Sequence, residues 1–167
     1  KITRPLSGKE WIKHSIFQFI LIMIAASYVQ MQPSYEGTIR ELWQYLPVDI
    51  LAKYGFSSIY YIHQQPPLLN TIVIIATKFS SVIALESFVS GVMVIILFLN
   101  ILLVNKIISL CAIRQFYSWV YIIFPSFALY HFWFYEPAFT LLFTNLIILS
   151  LIDKPSRSVF GMFVAGR

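Results

Sequence analysis

Residues 88–108 read FVSGVMVIILFLNILLVNKII, and this run decides the fold. Its one charge is Lys106. A helix crossing the hydrocarbon core of a bilayer needs about 20 mainly apolar residues. This run is long enough to span with tilt. Asn100 and Asn105 interrupt it. Asparagines in such helices act more often as hydrogen-bond partners between helices than as ligands. The same reading applies to Asn145 further along.

The composition of the whole chain agrees with that run. Of 167 residues, 59% are apolar and 11% are charged, against about 25% charged in an ordinary soluble domain. A soluble chain of this length needs a wetted exterior, which this composition does not supply. The length suits a single bundle. The formal charge of +5 does not indicate nucleic acid. Lys1, Arg4, Lys9 and Lys13 precede the first apolar run, and Lys154, Arg157 and Arg167 follow the last. Basic flanks of this kind set membrane topology. The single Cys111 lies in an apolar context and has no metal-ligand spacing around it, so it reads as a small packed hydrophobe.

Working outward, four further segments join the first. One runs from about His14 to Met31. Its basic flank and Ala25-Ala26-Ser27 resemble a signal peptide, but the apolar pattern continues past that point, so it reads as an anchored helix. A segment opening at Pro66-Pro67 and reaching about Ser81 is marginal in length, and Lys78 must snorkel. The others run from Tyr117 to Phe134, with a kink expected at Pro125, and from Pro137 to Ile152. Between the first two segments, residues 32–65 carry Glu36, Glu41 and Asp49. Ile39, Leu42, Trp43 and Leu46 recur there at helical spacing, and Ser57 to Ile62 follow a turn at Lys53-Tyr54-Gly55. Both stretches read as short amphipathic helices on the membrane surface, the first capped near Ser34.

The expected fold is therefore all-α: a polytopic transmembrane helix bundle over 1–152, with about five membrane segments and two interfacial helices in the first extracytoplasmic loop. Residues 153–167 form a connecting tail. Five full crossings conflict with the basic residues. With the N-terminus in the cytoplasm the tail would lie outside, whereas Lys154 and Arg157 place it inside, and Lys106 and Arg114 do the same for their own loop. The short second segment or its partner is the expected source of the error.

The polar groups gather at LPVDIL, residues 46–51, and IHQQPPLLN, residues 62–70. His63, Gln65 and Asn70 surround the start of an apolar helix, whose unpaired N–H groups and positive dipole end favour an anion such as phosphate. The alternative is a set of interfacial solubilising residues beside a Pro-Pro helix start. Arg40 and Lys53 are candidate phosphate partners. For Arg40 an i,i+4 pair with Glu36 is the competing reading. Glu136, at the start of the last segment, is either a favourable helix-end carboxylate or a functional group at membrane depth, with His131 nearby. No spacing of His, Cys or carboxylates supports a metal site.

IHQQPPLLN resembles the HxQPPLFN segment of bacterial polytopic GT-C class glycosyltransferases. It is also similar to the PPL segment of protein O-mannosyltransferases and lipid A aminoarabinose transferases. LPVDIL looks like the LPLDLL stretch upstream in the same group. Pro125, Leu129-Tyr130 and Trp133 match a P…LYENWLFY stretch. The likeness covers about residues 33–152, and the QPPL piece carries most of its specificity. Two departures stand out. His131-Phe132 replaces Glu-Asn, and Glu36 stands alone where the class tends to place a carboxylate pair. The resemblance implies an N-terminal portion of an enzyme in the bacterial cytoplasmic (inner) membrane. That enzyme would transfer a sugar from a polyprenyl-phosphate carrier to an extracytoplasmic acceptor. Asp49 or Glu36 would be the catalytic base, and Arg40, Lys53, His63, Gln65, Asn70, His131 and Glu136 would contribute to substrate binding. Membrane lipid and the lipid-linked sugar are the implied partners. The rival expectation is a non-catalytic membrane subunit or transporter fragment.

Overall fold

The computed structural model describes residues 9–29, 48–61, 67–79, 83–123 and 136–153. The described residues are helical, with no strand element among them: α1 (Glu10–Tyr28), α2 (Val48–Tyr54), a 3₁₀ helix (Gly55–Tyr61), α3 (Pro67–Lys78), α4 (Leu85–Leu110), α5 (Phe116–Ile123) and α6 (Glu136–Asp153). Two helices, α1 and α4, are long and apolar enough to cross a membrane. The shorter apolar stretches are Leu68–Lys78 and Pro137–Ile152. The first expected surface helix, the Pro125 kink and the tail lie outside the described residues.

The bundle is organised around α4, which packs against α1, α3, α5 and α6. Helix directions follow from the contacts. In α1, Trp11 lies beneath the Lys106 ammonium, Gln18 meets Asn105, and Phe19 meets Phe98 edge-on. Rising numbers on α1 thus match falling numbers on α4, and the two helices are antiparallel. In α6, Ala138 and Phe139 join a cluster with Val89 and Met93, Asn145 bonds Asn100, and Ile148 lies beside Ile107. α6 is therefore parallel to α4.

α4 and α5 form an antiparallel hairpin. Its turn closes with Ala112 N–H on Ser109 O (3.3 Å) and Ile113 N–H on Ile108 O (3.0 Å). This paired arrangement ends a helix with one left-handed residue, here Ala112 at φ 52°. Cys111 lies on this turn and is exposed and free. The expected packed position is corrected, because α4 ends at Leu110 and leaves Cys111 at the cap.

These directions give the bundle two ends. The first gathers the start of α1, the end of α4, the start of α5 and the end of α6. It carries Lys9, Lys13, Lys106 and Arg114. The second gathers α2, the 3₁₀ helix and the starts of α4 and α6. There Leu51, Leu69, Val73, Ile74, Met93 and Ala138 share one buried cluster. α3 belongs to this cluster. Its 12 residues, at about 1.5 Å each, reach only about 18 Å, well short of a hydrocarbon core of about 30 Å.

Burial runs partly opposite to a soluble fold. Ser15, Gln18, Asn70, Asn100, Asn105 and Ser118 are fully enclosed. Ile16, Phe17, Ile20 and Ile24 of α1 and Phe143, Leu146 and Ile147 of α6 face outward.

Candidate functional site

α2 begins directly after Pro47. Asp49 lies in its first turn and Lys53 in its last, each placed where its charge complements the helix dipole. Leu51, fully buried, is the peg that seats α2 on the cluster. Asp49 and Lys53 are exposed as a result. The Lys53 ammonium lies 5.1 Å from the centre of the Tyr54 ring. The expected turn at 53–55 is in fact the junction between α2 and the 3₁₀ helix. Gly55 makes it at φ +55°, in the left-handed region that side chains disfavour.

Asn70 lies one turn into α3 and is fully buried. Leu69 beside it joins the cluster holding Leu51, so the start of α3 faces the bundle interior. Glu136 opens α6, and Ala138 and Phe139 join the same cluster. The helices that carry Asp49, Asn70 and Glu136 therefore converge on one hydrophobic cluster at the second end. Glu36, Arg40, His63, Gln65 and His131 lie outside the described residues. Among the described residues no group of three or more His, Cys, Asp or Glu side chains could hold a metal ion.

Two buried polar chains bind the helices, and only their asparagines were singled out from sequence. In one, Asn100 Nδ2 donates to Ala138 O (3.1 Å) and Asn145 Nδ2 donates to Asn100 Oδ1 (3.0 Å). Asn145 in turn bonds the Tyr121 side chain. In the other, Asn105 Nδ2 donates to Gln18 Oε1 (2.6 Å), and Gln18 Nε2 donates to Ser118 Oγ (3.1 Å). Gln115 Nε2 meets His14 Nδ1 at 2.6 Å, and His14 Nε2 lies 3.2 Å from Ser118 Oγ. Ser118 Oγ donates to Gln115 O, and Gln115 Nε2 also lies 3.1 Å from His14 Nε2, so the ring, Gln115 and Ser118 form one polar cluster. His14 thus ties α1 to α5. A period-based reading misses these partners because Gln18, Gln115 and Ser118 look like isolated polar interruptions until the helices meet.

A separate groove of about 480 Å³ opens between α4, α5 and α6 towards the first end. Asp49, Lys53 and Asn70 do not line it. No protein-family model, curated protein or solved structure matches the chain.

Proposed function

We propose that this chain is an integral membrane protein working as part of a glycosyltransferase of the GT-C kind, in the bacterial cytoplasmic membrane. The membrane reading is supported by the reversal of burial. Only 17% of the apolar window of α1 is buried, whereas the core helix of a soluble protein hides such a face. Lipid accepts exposed Ile and Phe and leaves the asparagines to find partners inside. The first end, with Lys9, Lys13, Lys106 and Arg114, is cytoplasmic by the excess of basic residues there. α3 does not cross. Crossings by α1, by α4, by α5 with the segment after it, and by α6 then bring Lys154 back to the side of Lys9. This four-crossing arrangement removes the conflict that five crossings created.

The single observation that carries the functional reading is the convergence of α2, the start of α3 and the start of α6 on one cluster at the extracytoplasmic end. A carboxylate that takes a proton from an acceptor hydroxyl must lie where water, acceptor and lipid headgroup meet. Exposed Asp49 on α2 meets that requirement, with Glu36 in the same loop as the second candidate base. As the acceptor oxygen bonds the sugar, the bond from sugar to phosphate breaks and the phosphate leaves with the electron pair. Cationic and N–H donors stabilise that phosphate, and Lys53, one turn from Asp49, is placed for the task. Arg40, His63, Gln65, His131 and Glu136 complete the proposed binding set.

The test is transfer of labelled sugar from polyprenyl-phosphate donors in membranes holding the native gene product. Asp49→Asn is expected to abolish transfer with expression and fold intact, and full activity in that variant removes Asp49 from the mechanism. A non-catalytic subunit is the second reading. The complete burial of Asn70 favours it, because a packed asparagine serves helix association. Absence of transfer from any donor, with a folded protein, would select it.

A further inference from the structure

The groove at the first end is a second site with its own chemistry. Val104 and Ile107 of α4, Tyr117 and Tyr121 of α5, and Asn145 and Ile148 of α6 form its walls. The α4–α5 turn borders it, where Ile113 N–H bonds Ile108 O and both residues line the groove. Nearly all the lining is apolar. A volume of about 480 Å³ would hold roughly a dozen or more waters, each needing two to four polar partners. Asn145 and Tyr121 are the polar groups besides Tyr117, and they already bond each other. Water is therefore a poor occupant, and a hydrocarbon chain is a good one.

The charge around the groove chooses the headgroup. Arg114 directly follows Ile113, is exposed, and accepts the Tyr117 N–H through its carbonyl at 3.0 Å. Its backbone thus belongs to the turn beside the groove, next in sequence to the lining residue Ile113. Lys106 directly precedes the lining residue Ile107, with its ammonium over the Trp11 ring of α1 at 5.1 Å. Lys9 and Lys13 lie at the same end, which also holds Glu10 and, as the last residue of α6, Asp153, so the four basic residues there outnumber two carboxylates among the described residues. We propose that the groove between α4, α5 and α6 seats one acyl chain of an anionic phospholipid, with the headgroup phosphate held at Arg114. This rests on the membrane reading above, and it assigns the site to the cytoplasmic leaflet, away from Asp49.

The test uses the full chain, purified in mild detergent and offered dioleoyl phosphatidylglycerol or dioleoyl phosphatidylcholine, with retained lipid counted by native mass spectrometry. The wild type should hold one phosphatidylglycerol with about fivefold preference over phosphatidylcholine, the scale of one basic residue at an anionic surface. Ile148→Trp, which fills the groove, should lose both lipids, while Phe143→Trp on the outer face of the same helix should keep them. Arg114→Gln on the exposed turn should keep chain binding and lose the preference. Equal retention by Ile148→Trp and wild type, or no headgroup preference in the wild type, overturns the proposal. Alkaline extraction of native membranes separates the two readings. A chain released by it overturns membrane insertion and this site together. A chain that stays in the pellet but holds no lipid overturns this site alone.

Discussion

Replacing Asn100 with Leu is the sharpest probe of what holds the bundle together. The substitution removes the bond to Ala138 O at 3.1 Å and the acceptor for Asn145 Nδ2 at 3.0 Å. Between helices in lipid each such bond contributes about 0.6 kcal/mol on average and up to about 1.7. The Asn145 amide, 5% exposed, is then left with a buried donor lacking its acceptor, a cost of about 1–3 kcal/mol. The expected loss is about 2–4 kcal/mol. Replacing both asparagines with Leu removes the orphaned donor, so the double variant should recover part of that loss. The assay is unfolding in mixed micelles titrated with dodecyl sulfate and followed by helical circular dichroism. A double-mutant cycle should return a coupling of about 0.6–1.7 kcal/mol. A coupling indistinguishable from zero, with both single variants destabilised, would refute the bond between α4 and α6.

Two glycines should respond to the same change with opposite sign. Gly55→Ala places a side chain at φ +55° with open space around it, so the backbone alone should cost about 1–2 kcal/mol. Gly91→Ala, inside α4 and also in open space, should stabilise by about 0.5–1 kcal/mol in the same titration. Leu51→Ala removes the buried peg of α2 and should cost about 2–5 kcal/mol, read out as faster tryptic cleavage after Lys53. Cys111 is the chain's one cysteine and is exposed. In sealed right-side-out vesicles it should resist a membrane-impermeant maleimide until the cytoplasmic face is opened, whereas Cys111→Ser carrying Ser57→Cys should label at once. The reverse order would invert the topology.

Long apolar runs were the legible part of the fold. α4 and α6 fall where their sequences place them, because a long, mainly apolar stretch specifies a helix without help from neighbours. α1 begins at Glu10 rather than His14, since Trp11 is held by Lys106 from a distant helix. That α3 stays at one end was legible only as a conflict of parity, because Lys78 and a marginal length do not say which segment fails to cross. Helix direction and neighbour choice were not legible, since apolar helices match one another easily. At the candidate site, the sequence marked Asp49 but not its face. Leu51 sets that face by inserting into a cluster built from residues up to 88 positions away. The buried chain from His14 to Asn105 was hidden for the same reason, being assembled from three helices.

The parallel run of α4 and α6 has a consequence for biosynthesis. Neighbours that point the same way cannot be joined by a tight hairpin, so about a full crossing of chain separates Asn100 from Asn145 and Ala138. On the membrane reading proposed above, α4 enters the bilayer as the chain emerges from the ribosome, before α6 exists. For that interval the Asn100 amide lacks its bonds to Ala138 O and Asn145. On the same reading, a nascent chain stalled before residue 136 lacks the two interhelix bonds of Asn100, a mark for membrane chaperones and proteases. Arrival of α6 supplies those bonds, so on this reading its addition is the step at which the bundle passes from substrate of surveillance to stable protein.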